Sequence, residues 1–499
     1  MTQGGQRTWE ADLVIGSVRV RPRERIVETP TACVTVEPLV MQLLVALARR
    51  AGQLVTRREI FEKCWGGVSV GDDSLNRVVA ALRKALQRAA ADLMTVETVA
   101  GTGYVLRLVP RTGEQGIPGQ NEDEVQRAIE AAFDSWRTGL PEPDHLRLEL
   151  LRRSCALQPD RALAHGMLAL LSRLAAEYAE PGAASAYVAE CEASARRALA
   201  LDSHQPEALT ALASVEPLLG RWLDARERLM AIRAVHGNHP AATHDLAVVE
   251  MATGRVRAAK ELMDCLLAAD PLAPCYCYKS IYQHWSIGDL VGMDQVADRA
   301  IQLWPTHPAV WSARFWTLAY TQRTKAAMNM LADAAVRPDL PPPALGFMRQ
   351  ALLAVAGNAE ERTAAVVASI KLAGSGPAQA IACLFTAGLL QSPDAIFEIA
   401  EAYYFRSGNV PVPMRHTAHE LSVNDQHRRV TQILFTPVFA GVRDDPRFLS
   451  LCHRAGLSGY WEATGLRPDF QRLAQNPKAA VVHQTANSEQ TISSQGARP

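Results

Sequence analysis

The chain lacks an apolar run long enough to cross a bilayer: the nearest, AIACLFTAGLL, has 11 residues, against the roughly 20 that a spanning helix needs. Its beginning, MTQGGQRTWEADLV, also lacks the cationic, apolar and small-residue order of a signal peptide. A soluble, cytoplasmic protein with no membrane partner is expected. The nine cysteines (33, 64, 155, 191, 265, 275, 277, 383 and 452) are scattered and odd in number, which fits reduced buried thiols better than a disulfide framework. Cys275 and Cys277 form a CxC without a second pair, and His236, His239 and His244 in HGNHPAATH fall on an expected inter-helix turn. No metal and no cofactor is expected from either group. A phosphate-binding glycine loop and a GxSxG elbow are missing as well, so the chain does not read as an enzyme.

Net charge is absent too, with 52 Lys+Arg balancing 52 Asp+Glu, but the balance is between two unlike parts. Residues 1–110 hold 15 Lys+Arg against 11 Asp+Glu, whereas the remainder holds 37 against 41. A basic amino-terminal unit suited to a polyanion therefore precedes a mildly acidic remainder. At 499 residues the chain exceeds one core, and about 150 residues per domain suggests two to four domains.

In the basic unit, TWEADLVIGSVRVRPRERIVETPTACVTV alternates apolar and polar residues in short runs broken at Gly16, Pro22 and Pro30, the pattern of a small antiparallel sheet. Three helices are expected next. PLVMQLLVALARRAG opens at Pro38 and closes at Gly52, burying Leu39, Leu43, Leu44 and Leu47. In TRREIFEKCW, Thr56 and Glu59 have capping-box spacing. The third, DDSLNRVVAALRKALQR, gathers Leu75, Val78, Val79, Leu82, Ala85 and Leu86 into one stripe and leaves Asn76, Arg77, Arg83, Lys84, Gln87 and Arg88 opposite it. Ala80 and Ala81 between the cations let that face approach a flat partner. LMTVETVAGTGYVLRLV then reads as a hairpin turning on Gly101 and Gly103.

Through TRREIFEKCWGG, SLNRVVAALRKAL and VETVAGTGYVL, residues 8–109 resemble the OmpR/PhoB-type winged-helix DNA-binding domain. The resemblance implies that the third helix lies in the major groove, with Asn76, Arg77, Ala80, Arg83 and Lys84 facing it. Side-chain chemistry assigns Asn76 and Arg77 to bases, and Arg83, Lys84 and Arg88 to the phosphate backbone. Arg57 and Arg58, at the start of the second helix, are expected to meet phosphate with help from its amide dipoles. Thr102 and Tyr104 of the hairpin complete the DNA-binding set. Two departures stand out: Ala100 occupies the place of the usual wing arginine, and Val105 that of the arginine after the retained tyrosine. The resemblance also implies that the loop Trp65, Gly66, Gly67, Val68, Ser69, Val70, Gly71 and Asp72 touches RNA polymerase. No receiver domain of the response-regulator kind is expected ahead of the winged helix, and any signal is expected to enter through the rest of the chain.

Residues 110–120, with PRTGEQGIPGQ, have the composition of a flexible linker. Beyond it prolines stand at 206, 240, 274, 308 and 342, steps of 34 residues, with a second register at 343, 377 and 411. Fourteen places later come Gly220, Gly254, Gly288 and Gly357, where a turn needs positive φ, and nineteen places later Ala225, Ala259 and Ala327. A 34-residue helix-turn-helix of this kind resembles the tetratricopeptide repeat, over residues 121–420. EVQRAIEAAFDSWRTG and PDHLRLELLRRSCAL look like the first pair; Met293 and Gln322 depart from the pattern. Tyr278, Tyr282, Trp285, Trp311 and Trp316 fall on first helices, either as inter-repeat core or as an aromatic groove. Residues 421–471 are expected to cap the last open apolar face with Tyr460, Trp461 and Phe470, and 472–499 to be disordered.

The expected architecture is multidomain: a small α+β winged helix-turn-helix followed by an all-α tetratricopeptide-repeat solenoid. It resembles the CadC/HilA-like one-component transcriptional regulators, without their membrane span. The partners implied are double-stranded promoter DNA, RNA polymerase, a protein or small-molecule effector on the repeats, and a second copy as a homodimer on DNA. The other reading is an interaction scaffold whose degenerate winged helix no longer binds DNA.

Overall fold

The computed structural model describes residues 13–15, 18–29, 32–65, 72–91, 93–99, 102–108, 120–139, 144–179, 182–413 and 431–474. They form two compact units. The first takes in the chain up to Trp136 together with Glu142–Ala175 and Glu190–Ala208; the second takes in Arg137–Pro141, Ala176–Ala189 and the chain from Leu209.

The first unit opens with an antiparallel meander of β1 (Leu13–Ile15), β2 (Val18–Arg21), β3 (Ile26–Thr29) and β4 (Ala32–Thr35). Val20 pairs with Val27 and Val27 with Val34, so the alternate valines of the middle strands share a face. Then follow α1 (Pro38–Ala48), β5 (Val55–Thr56), α2 (Arg57–Trp65), α3 (Asp72–Ala89), β6 (Met94–Val99) and β7 (Gly103–Leu108). Sheet, three helices and closing hairpin are thus present as expected. The two-residue β5, too short to show alternation, was not foreseen; it joins the hairpin in the order β5-β7-β6.

Fully buried Val20, Leu43, Leu44, Leu47, Ile60, Leu75, Leu82 and Leu106 form the core, while Leu39 is only half-buried. Ala128, Leu146 and Leu150 belong to the same core. They come from α4 (Gln120–Thr138) and α5 (His145–Leu157), so the apolar interior of the winged helix continues past residue 109.

Antiparallel pairs continue with α6 (Ala162–Tyr178) and α7 (Ala184–Leu201), α8 (Pro206–Val215) and α9 (Trp222–His236), and α10 (Pro240–Ala252) and α11 (Val256–Ala269). Next come α12 (Pro274–Ser286) and α13 (Leu290–Leu303), α14 (Pro308–Tyr320) and α15 (Thr324–Ala332), α16 (Pro342–Ala356) and α17 (Ala359–Ala373), and α18 (Pro377–Leu389) and α19 (Pro393–Phe405). The periodic prolines through 377 stand at the first or second position of a first helix, where the missing N–H costs nothing and the ring sets φ; Pro411 lies in neither helix nor strand. His244, expected on a turn, sits inside α10 beside Asp245.

Gly254 and Gly288 have φ of +85° and +80°, and Gln322 and Gln391 take the same turn position at +61° and +54°. Each is flanked by a bond from the next amide to a carbonyl five residues back: Arg255 to Glu250, Asp289 to His284, Arg323 to Leu318 and Ser392 to Ala387. This 6→1 closure demands the left-handed residue even where it is a glutamine. Gly357 contradicts the expectation: its φ is −78°, because Asn358 immediately caps α17 in a capping box with Glu361.

The carboxyl-terminal segment comprises two 3-10 turns (Gln432–Phe435 and Pro437–Val442), α20 (Pro446–Arg454), α21 (Leu457–Thr464) and α22 (Asp469–Ala474). It packs on the last helix pair, where Arg447 Nη1 donates to Asp394 Oδ1 at 2.7 Å and Arg454 meets Glu401, and it also reaches back onto earlier pairs. Trp461 Nε1 donates to the Thr253 carbonyl (2.9 Å), Thr431 Oγ1 to Ala252 (2.5 Å), and Trp222 Nε1 to Ala455 (2.8 Å). The amide of Asp469 donates to Gly254 at 2.9 Å. Buried Phe435, Phe439, Phe448, Tyr460 and Trp461 fuse with the repeat core. The aromatics of the first helices are also core: Phe385 of α18 stacks on Trp285 and Trp316 at 6.3 and 4.9 Å and meets Tyr282 at 6.2 Å. Trp285, Trp311 and Trp316 are buried, whereas Tyr278 and Tyr282 are half-buried.

Candidate nucleic-acid interface

The amphipathic pattern of α3 decides which residues it offers. Leu75, Val79, Leu82, Ala85 and Leu86 are buried, and Val78 half-buried, leaving Asn76, Arg77, Ala80, Ala81, Arg83, Lys84, Gln87 and Arg88 exposed. Arg77, Lys84 and Arg88 make no ion pair among the described residues, so their charge is presented outward. Arg83 is different. Its Nε donates to the Val96 carbonyl (2.9 Å) and an Nη to Thr98 Oγ1 (2.7 Å), pinning α3 to β6.

α2 is placed by its cap. The Thr56 amide and hydroxyl both reach Glu59 Oε2 at 2.7 Å, and Arg50 Nη1 holds Glu59 Oε1 at 2.6 Å, tying the end of α1 to the start of α2. Burial works against the charged carboxyl, but the Thr56 hydrogen bonds and then Arg50 outweigh it and hold Glu59 below the usual carboxylate range. Arg57 reaches α3, with Nη2 3.4 Å from Asn76 Oδ1. Arg58 is exposed and lies 3.9 Å from Glu62.

Gly103 does not turn the hairpin. It opens β7, paired with Val99 on one side and Thr56 on the other, and a Cβ there would sit 2.1 Å from the Val55 carbonyl oxygen. Only glycine permits this approach. The approach brings Tyr104 beside Val55 and the Thr102 carbonyl onto the Arg57 amide at 3.0 Å. The Tyr104 ring is buried, but its hydroxyl meets both Arg57 and Asn76: Arg57 Nη1 donates to Tyr104 Oη (3.2 Å), Tyr104 Oη to Asn76 Oδ1 (3.2 Å), and Arg57 Nη2 to Asn76 Oδ1 (3.4 Å). Three residues far apart in sequence thus form one polar cluster at the edge of the exposed face. Sequence reading found the members and missed their contact, for which β5 is the missing piece. Thr102 is exposed next to it. Of the expected polymerase loop, Gly66, Gly67, Val68, Ser69, Val70 and Gly71 lie outside the described residues, as do Ala100 and Gly101 at the wing tip. Trp65 ends α2, its ring 5.5 Å from that of Phe61 and tilted by 50° to it, and Asp72 begins α3.

Residues 31–106 match the family described as "Transcriptional regulatory protein, C terminal". This segment is similar to that family and has the three helices and closing hairpin of a winged helix. Over 95 residues the chain is 34% identical to the heme response regulator HssR of Staphylococcus aureus strains JH9 and Newman, a span of 19% of this chain and 42% of each relative. The chain therefore covers less than half the length of these relatives. Among solved structures, the DNA-binding domain of E. coli CadC is similar at 26% identity, over 21% of this chain and 96% of that one, with a TM-score of 0.19. Pseudomonas aeruginosa pilF is similar at 16% identity, over 42% and 90%, with a TM-score of 0.30. After the winged helix the chain is a long all-helical stretch of tetratricopeptide-like pairs. Among the described residues no helix is long and apolar enough to cross a membrane.

Proposed function

We propose that the protein is a DNA-binding transcriptional regulator that lays α3 in the major groove of promoter DNA. The observation that carries this reading is the exposed face of α3, where Arg77, Lys84 and Arg88, around Ala80, make no ion pair among the described residues while the opposite face is packed. A solvated helix has no need to keep its cations unpaired beside small residues, whereas a groove-bound helix needs cations for phosphate, polar tips for base edges and clearance between them. Arg57 and Arg58 add phosphate contacts at the start of α2, Thr102 borders them, and the loop from Trp65 to Asp72 faces polymerase. The repeats serve as the part that receives an effector or partner and holds two copies together on adjacent half-sites. Tethering of that kind raises the second domain to an effective concentration of around millimolar, which turns weak sites into a tight pair.

The test is selection of duplexes from a random library by the full-length protein, followed by titration across salt. Lys84→Ala is expected to weaken all sequences alike and to reduce the slope of log affinity against log salt by about 1. Arg77→Ala is expected to relax base choice, at about 1–3 kcal/mol. If both variants keep wild-type affinity and choice, α3 is not the groove helix; if the full-length protein binds no duplex, the scaffold reading takes its place.

A further inference from the structure

Asn76 is an amide on the exposed face of α3 whose carbonyl is already engaged. A guanidinium carries five donors and no acceptor, so the atom of Asn76 facing Arg57 Nη2 at 3.4 Å is the oxygen. Tyr104 Oη accepts from Arg57 Nη1, and its own proton goes to the same Asn76 oxygen at 3.2 Å. Both lone pairs of that carbonyl are then filled, and the two N–H bonds of Nδ2 are what remains. The geometry is held by backbone on two sides: Tyr104 sits in the β7 ladder opposite Val55 and Thr98, and the Arg57 amide is bonded to the Thr102 carbonyl. Tyr104 is 3% exposed, and its hydroxyl is held between Arg57 and Asn76.

An unconstrained asparagine on a groove helix pairs with adenine, taking the N6 amino proton on its carbonyl and giving an N–H to N7. Here the carbonyl is committed. Guanine offers two neighbouring acceptors, O6 and N7, which match two outward N–H bonds; cytosine offers a donor and thymine a single acceptor. We propose that Asn76 reads the major groove as a donor only and selects guanine, with Tyr104 as the positioning residue that enforces this polarity. The inference rests on the groove reading of α3 given above.

The experiment is duplex selection with the full-length protein, Asn76→Ala and Tyr104→Phe, followed by 7-deazaguanine substitution in the selected duplex. The wild type should select guanine at the position where Asn76→Ala loses its preference. Removing N7 there should weaken binding about tenfold. Tyr104→Phe keeps the ring, frees one lone pair, and should admit adenine beside guanine at little cost to the guanine site. Adenine at that position in the wild type, equal binding of the 7-deazaguanine duplex, or a Tyr104→Phe that loses affinity with base choice unchanged would each overturn the proposal. If the wild type binds selectively but Asn76→Ala leaves every base preference intact, this inference fails alone. If it binds no duplex at all, the groove reading fails with it.

Discussion

Gly220 and Gly254 occupy the same turn of successive helix pairs, with φ of +82° and +85°, and differ in what surrounds them. A Cβ at Gly220 meets nothing within 4 Å, whereas one at Gly254 would lie 2.6 Å from Pro468 Cβ and 2.7 Å from Phe435 Cε1. Alanine at either position carries the left-handed strain, about 1–2 kcal/mol. At Gly254 it also meets a wall that cannot yield, because Phe435 is 3% exposed and packs on Trp461 and Phe470 at ring distances of 6.3 Å. Overpacking of that kind adds about 1–3 kcal/mol. Gly220→Ala should therefore lose about 1–2 kcal/mol and Gly254→Ala about 2–5 kcal/mol. At about 2 °C per kcal/mol for a large unit, the thermal midpoint should fall by about 2–4 °C and 4–10 °C. Calorimetric scans of the two variants and the wild type in one buffer provide the assay. Equal shifts would refute the reasoning, since the carboxyl-terminal segment crowds a Cβ at Gly254 and leaves one at Gly220 without a neighbour within 4 Å.

Gly103→Ala should push β5 off β7, since the new Cβ meets the Val55 carbonyl oxygen at 2.1 Å; loss of amide protection at Val55 and Arg57 in hydrogen exchange is the expected signature, and unchanged protection would count against the pairing. Burial, and then Arg50, lower His145 from its ordinary value to about 4. A histidine depressed in the folded state binds fewer protons than the unfolded chain between those two values. Its contribution is therefore complete above pH of about 6.5 and lost as the pH falls toward 4. His145→Gln should flatten that part of the stability profile measured by urea unfolding; an unchanged slope would show that other groups carry it.

Much of this was legible because it is written in short-range periodicity. The stripe of α3, the Thr56–Glu59 cap and the 34-residue spacing of prolines are consequences of helix geometry, which repeats every few residues whatever the neighbours are. The groove-facing residues follow from the same arithmetic, since knowing the buried side of a helix names its exposed side. β5 was not legible, because two residues have no period. Gly103 was misplaced for a related reason: a glycine required by the approach of a distant strand looks, in sequence, like a glycine required by a turn. Gly357 and Gln391 show the converse. The left-handed position follows the 6→1 closure of the helix end, so it excludes a glycine where a cap intervenes and imposes itself on a glutamine where none does.

The sequence by itself determined the order of elements, the exposed cations of α3 and the repeat period, all set by contacts within one helix or one helix pair. Tertiary structure alone decided that Tyr104 and Arg57 converge on Asn76, because strand pairing across 47 residues brings them together. It alone decided that the segment after residue 430 reaches back to α9 and α10 as well as covering the last pair. An apolar stripe specifies that it must be buried, and hydrophobic burial has no direction of its own. Which face receives it depends on where shape and a few directed bonds, such as Trp461 to Thr253 and Trp222 to Ala455, can be satisfied together.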